Sequence, residues 1–171
     1  MGDAVVLPPP LCGVTIPQPY ASLAAGGVVD HVDLGHEPGR GFVWLGRWVA
    51  LHAGARLATG AASTYEALQR EKLDPRNLRR AGLSCDARQL PLGAVIGVAR
   101  LVGVERAPRV GLLEPQGWRW RLADAWALPR AVDVVGTHGV WLVPDAAVRS
   151  IREQWRHARR HETPAAVGVS P

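Results

Sequence analysis

The chain's 171 residues, 47% hydrophobic and 20% charged, suffice for one domain with a core of its own. The formal charge is +5 and Lys72 is the single lysine, so arginine supplies the cation, and the balance favours an anionic partner. No apolar run reaches membrane-span length, and Cys12 and Cys85 lack any paired motif; together these exclude a transmembrane helix and a disulfide scaffold and point to a reduced, cytoplasmic protein.

Residues 1–10 read as a flexible lead. "MGDAVVLPPP" carries Asp3 and no basic residue before its short apolar run, unlike a secretion signal, and it ends in the stiff Pro8-Pro9-Pro10. "LCGVTI" (11–16) has strand chemistry and stops at Pro17. Pro19 then opens a short helix through "PYASLAAG", closed by Gly26-Gly27, the expected order of proline at the start and glycine past the end. "VVDHVDLGHEPGRG" (28–41) begins as a strand and becomes a polar loop. "FVWLGRWVALHAG" (42–54) is apolar and β-rich, consistent with one or two strands around Gly46.

The period then changes. Ser63 with Glu66 forms a capping-box signature for a helix over 63–72, and Asp74, Pro75 and Gly82 bound a second over 74–82. The two form a helical insertion at about 60–90. "PLGAVIGVARLVGVERA" (91–107) returns to a long strand with glycines where it can bend. "GWRWRLADAWALP" and "THGVWLVP" supply two more strands. In the first, strict alternation puts Trp118 and Trp120 on one face and Arg119 and Arg121 on the other. The indoles suit the core, and the guanidiniums suit a phosphate backbone.

"DAAVRSIREQWRHARRHE" (145–162) is a helix capped by Asp145, with Val148, Ile151 and Trp155 on one face. Arg149, Arg152, Arg156 and Arg160 follow steps of three, four and four along a neighbouring face, with Arg159 beside them. A duplex phosphate backbone is a natural partner for such a row. Residues 163–171 carry no pattern and read as a flexible tail.

Five or six strands, a short N-terminal helix, a helical insertion and a C-terminal helix make an α+β, mixed β-barrel fold in a single domain over 11–162. The strands do not alternate with helices, so a βαβ sheet is not expected. No glycine-rich phosphate loop follows any strand and the six histidines are scattered, so neither a nucleotide cofactor nor a metal is expected.

Four fragments, in order, resemble the ASCH-domain family of the PUA-like superfold: "GVTIPQPYASLAAGG", "RWVALHAG", "LPLGAVIGVARLVGV" and "WRLADAWALPRAVDVVGTHGVWLVP". They fall within residues 11–144. The resemblance implies a PUA-like β-barrel with a cleft beside the early helix that takes RNA, DNA or modified nucleosides. It nominates Gln18 to read a base edge and Tyr20 to stack, with His52, Thr137 and His138 in the same cleft and Arg47 and Trp48 at its border.

Some members of that family are hydrolases acting on acetylated cytidine or RNA and others are binding modules; the family's usual signature after the helix is Gly-x-Lys-x-x-Glu-x-Arg. Here Val29 stands for the lysine, Val32 for the glutamate and Leu34 for the arginine. Amide hydrolysis needs a polarised nucleophile and a proton shuttle, which valines cannot supply. An enzyme would have to use Asp30, His31, Asp33 or His52 instead. The expectation is therefore a nucleic-acid binder, monomer or homodimer, acting on DNA or RNA. A hydrolase on RNA or a modified nucleoside and a protein-interaction module are the alternatives.

Overall fold

A computed structural model describes residues 10–35, 44–58, 86–107 and 117–161, the last without the side chains of 159–161. The two insertion helices, the lead before Pro10, the tail, Cys85 and the side chains of Arg159 and Arg160 lie outside the described residues. No described helix is long and apolar enough to cross a membrane.

The elements are β1 (Cys12–Gln18), α1 (Tyr20–Ala25), β2 (His31–Leu34), β3 (Trp48–Leu57), β4 (Ala94–Arg106), β5 (Trp118–Asp133), β6 (Val140–Leu142) and α2 (Asp145–His161). A one-turn 3-10 helix, Ala87–Gln89, precedes β4, its start capped by the Asp86 carboxylate accepting from the Arg88 amide. The strands form one mixed sheet in the order β2-β5-β4-β3-β1-β6. Only β1 and β3 run parallel, Cys12 facing Val49 and Ile16 facing Ala53.

The sheet curls into a half-barrel, where a barrel was expected. Its edges, β2 with four residues and β6 with three, do not pair with each other. The curl comes from the long pair β4–β5, whose register shifts at Val95/Gly97, Val98/Arg100 and Leu101/Gly103. Extra residues at such shifts bend a strand and add twist. Asp124 sits at one of them with φ 53, a left-handed conformation that aspartate tolerates, and its carboxylate meets Arg100 at 2.8 Å.

Apolar residues line both faces of the sheet. On the concave side Val14, Ile16, Val49, Leu51, Leu101 and Trp120 pack together with Ala21, Ala24 and Ala25 of α1. The alanines matter because α1 crosses β4 at Gly97, where an added Cβ would come within 2.7 Å of Ala25 Cβ. Pro19 precedes α1, and Gly27, at φ 67, turns the chain out of it, as the sequence suggests.

The other face carries α2. Val148, Ile151 and Trp155 are buried against Leu11, Ala50, Val95, Val98 and Leu128. Trp155 meets Trp48 edge-on at 5.0 Å and Trp126 at 4.9 Å between ring centroids. Trp48 therefore anchors the helix and does not border a ligand cleft: along β3 it shares its face with Ala50, while Val49 and Leu51 point to the concave core. Of the one or two strands expected around Gly46, the described residues show one, β3, which starts at Trp48. Trp44 and Gly46 make the turn before it, and the Gly46 amide donates to Leu101 O at 2.7 Å.

Candidate nucleic-acid interface

The alternating Trp-Arg stretch occupies β5 with the expected facing. Trp120 is buried, and Trp118 is half-buried beneath the Arg106 guanidinium, 4.4 Å from its ring centre. The arginines, however, are consumed by the sheet. Arg119 lies directly across from Asp33 and grips it with two hydrogen bonds of 2.8 Å. This guanidinium holds the Asp33 carboxyl below its usual pKa, with burial opposing more weakly. Arg121 donates to Glu105 at 3.2 Å. Cross-strand acids thus neutralise the cations expected to track phosphates.

The residues nominated for the cleft separate. Gln18 is fully buried, with both amide hydrogens given internally, to Ser22 Oγ at 2.8 Å and Pro91 O at 2.7 Å. Its side-chain oxygen accepts from the Ser22 amide, so Gln18 ties β1, α1 and the approach to β4 together. That arrangement replaces the expected reading of a base edge. Tyr20 is exposed at the start of α1, and Arg47 is exposed with its guanidinium 5.6 Å from the Trp44 ring.

His52 and Thr137 do come together, through Thr15. Thr15 Oγ1 accepts from Trp141 Nε1 at 3.0 Å and lies 2.7 Å from Thr137 O and 3.2 Å from His52 Nδ1. The His52 Nε2–H donates to Val134 O at 3.1 Å. The ring is 3% exposed, is met edge-on by Trp141, and leaves so little room at Gly136 that a Cβ would lie 2.4 Å from His52 Cε1. Burial pushes its pKa below the usual histidine value. The arrangement makes His52 a packed strut. His138, one residue past Thr137, is exposed.

The substitute catalytic group is not assembled either. Asp30 and His31 bond to each other at 2.7 Å, which holds the Asp30 carboxyl below its usual pKa, and Asp33 is bound to Arg119. These residues stand on or beside edge strand β2, three strand steps from His52 on β3, or roughly 14 Å across the ladder. Val32 is buried and Val29 packs against the concave core, so both signature positions serve packing. Cys12 is buried, its thiol pushed up to about 11 by burial, and is no nucleophile. Among the described residues no three His, Cys, Asp or Glu side chains gather as for a metal ion.

The arginines of α2 differ from Arg119 and Arg121 of β5. Arg149 and Arg156 are exposed and Arg152 is half-buried, and none of the three joins an ion pair among the described residues. Arg156 Nε donates to Arg152 O at 3.3 Å, one turn back along the helix. Two Arg152 nitrogens, Nε and Nη2, are shielded from solvent without a hydrogen-bond partner. At roughly 100° per residue the three side chains fall within about 60° of one another, beside the apolar strip that docks the helix. Asp145 and Glu153 are the acids of this helix.

Two features lay beyond sequence reasoning. Arg106 caps Trp118, and the Gln154 side chain on α2 accepts from the Arg130 amide of β5 at 2.9 Å. Compared with known proteins, the chain matches no family model and no curated protein.

Proposed function

We propose that this chain is a nucleic-acid-binding protein of ASCH type, with a PUA-like fold, that holds phosphates along α2. The curled mixed sheet, with α1 following β1 and packed inside the curl, fits the resemblance in its four sequence fragments. The observation that carries the binding reading is the row of arginines on α2: Arg149, Arg152 and Arg156 share one side of the helix and meet no acid among the described residues.

A row of guanidiniums on a docked, rigid helix suits a phosphate backbone, since each contact releases condensed counterions. Arginine adds a planar fork that binds phosphate oxygens in pairs. Tyr20, exposed at the start of α1, can stack on a base, and His138 is exposed as well. With His52 enclosed and the acids of β2 tied up, binding without hydrolysis is the reading adopted.

A panel of single-stranded and duplex DNA and RNA, titrated across a salt series, tests it. Affinity falling steeply with salt is expected. Affinity for no nucleic acid at low salt overturns the reading, as does turnover of acetylated cytidine or labelled RNA for its non-hydrolytic part.

A further inference from the structure

The sheet ends at β2, and among the described residues no strand lies on its far side. The ladder to β5 fixes which backbone groups look outward. The Leu122 amide donates to Asp30 O at 2.7 Å, which makes Asp30 and Leu122 a hydrogen-bonded pair, and the register passes that role to Val32 and Leu34. His31 and Asp33 are the alternate positions, so their N–H and C=O groups point away from β5 along an open edge. Their side chains lie on the outer face, in rows that cross the strands. Asp33, Arg119 and Glu105 form one row; His31 and Arg121, which lies over Gly103, form the other.

We infer that two copies of this chain pair antiparallel through β2, centred on Val32, and so form one continuous sheet. Symmetry and charge select this register. In a two-fold pairing only residues with outward backbone groups can exchange hydrogen bonds. Centring on Asp33 sets its carboxylate against the partner's Asp33, and like charges directly opposite repel. Centring on His31 places Asp33 opposite the partner's Val29, which lies outside the strand. Centring on Val32 gives two exchanges: His31 with Asp33 of the partner subunit, and Asp33 with the partner's His31. Imidazole then stands beside carboxylate on the outer face.

Charge also favours this edge over β6. Around β2, Asp30, Asp33 and Glu105 balance Arg106, Arg119 and Arg121, so a chain of net charge +5 shows no excess there. Beside β6, Arg149 and Arg152 line one groove with Leu142 against the single Asp145, and two copies meeting there would bring like charges together. The inference stands apart from nucleic-acid binding. A two-fold axis between antiparallel strands is perpendicular to the sheet, so both copies carry α2 on the same side.

An edge of this length buries less than the roughly 1,200–2,000 Å² of stable complexes, so a dissociation constant of about 10–100 µM is expected. Sedimentation equilibrium from about 10 µM to about 0.5 mM should show the mass rising toward that of a dimer. Amide hydrogen exchange locates the contact. His31 and Asp33 should exchange roughly threefold or more slowly at the higher concentration, while Val32, already paired with Trp120, should not change. His31→Pro removes an outward N–H and no bond to β5, at a position where an edge strand admits proline. It should weaken association at least about tenfold, since each copy loses a donor to the other.

A single-chain mass throughout that range overturns the inference. So does a dimer whose His31 and Asp33 amides exchange as fast as at low concentration, or one that folded His31→Pro leaves intact. Should that variant fail to fold, the alternating amide pattern of the unaltered protein decides.

Discussion

Replacing Trp155 with alanine removes the ring that fixes α2 to the sheet. Trp155 is 4% exposed and touches Trp48 and Trp126 edge-on, at 5.0 and 4.9 Å. A buried indole removes roughly 150–250 Å² from water, which at about 25 cal/mol per Å² amounts to roughly 4–6 kcal/mol. Denatured chains already cover part of that area, which lowers the figure. The cost of large-to-small core changes of this kind runs at about 3–5 kcal/mol. We expect a loss of ~4 kcal/mol, roughly a quarter to four fifths of the stability of a typical domain, which is about 5–15 kcal/mol. Urea unfolding followed by far-ultraviolet circular dichroism measures it, with the midpoint falling and the slope unchanged. Trp155→Phe keeps an aromatic edge for both neighbours and should lose less than half as much. A loss below about 1 kcal/mol for Trp155→Ala would refute the docking described here.

The joint change Arg149→Gln, Arg152→Gln and Arg156→Gln should lower the slope of log affinity against log salt for duplex DNA by roughly 3, about 0.9 per phosphate contact; an unchanged slope removes α2 from the interface. Asp33→Asn should cost about 1 kcal/mol or less at pH 7, because the pair is partly solvated. The folded Asp33 pKa lies below its unfolded value near 3.9, so that contribution is present above pH ~4 and fades as pH falls through the folded pKa. The gap between wild type and variant in urea unfolding should therefore narrow at pH 3. For His52, also shifted down, the unfolded chain protonates first. Stability should decline as pH falls below about 6.5 until the folded pKa is passed, and a nuclear magnetic resonance titration midpoint at or above 6.5 contradicts this. Gly136→Ala should cost about 1–3 kcal/mol in the same unfolding assay, since its Cβ would press on the His52 ring.

Local chemistry made the elements legible. Pro19 and Gly27 bound α1, and the spacing of Val148, Ile151 and Trp155 marks the docked face of α2. What sequence could not convey was which strands lie side by side. Arg119 and Arg121 read as free cations until β2 is laid against β5, which puts Asp33 opposite Arg119. A matching signal is present, since "HVD" sets His31 and Asp33 at the same two-residue spacing as Arg119 and Arg121, but nothing local says the two stretches pair. Trp48 and Gln18 were misplaced for a second reason. Both faces of this sheet are covered, so alternation tells which residues share a side and not which side meets a ligand.

The pairing of β1 has a consequence for synthesis. Its parallel neighbour β3 follows some thirty residues later, but its other neighbour, β6, places Leu142 against Cys12. A growing chain on the ribosome must therefore wait until β6 has emerged before β1 is flanked on both sides. Until α2 then arrives, Trp48 and Trp126 stay uncovered, a hydrophobic surface of the sort that chaperones retain. Loss of α2 would leave the nascent protein in that state permanently.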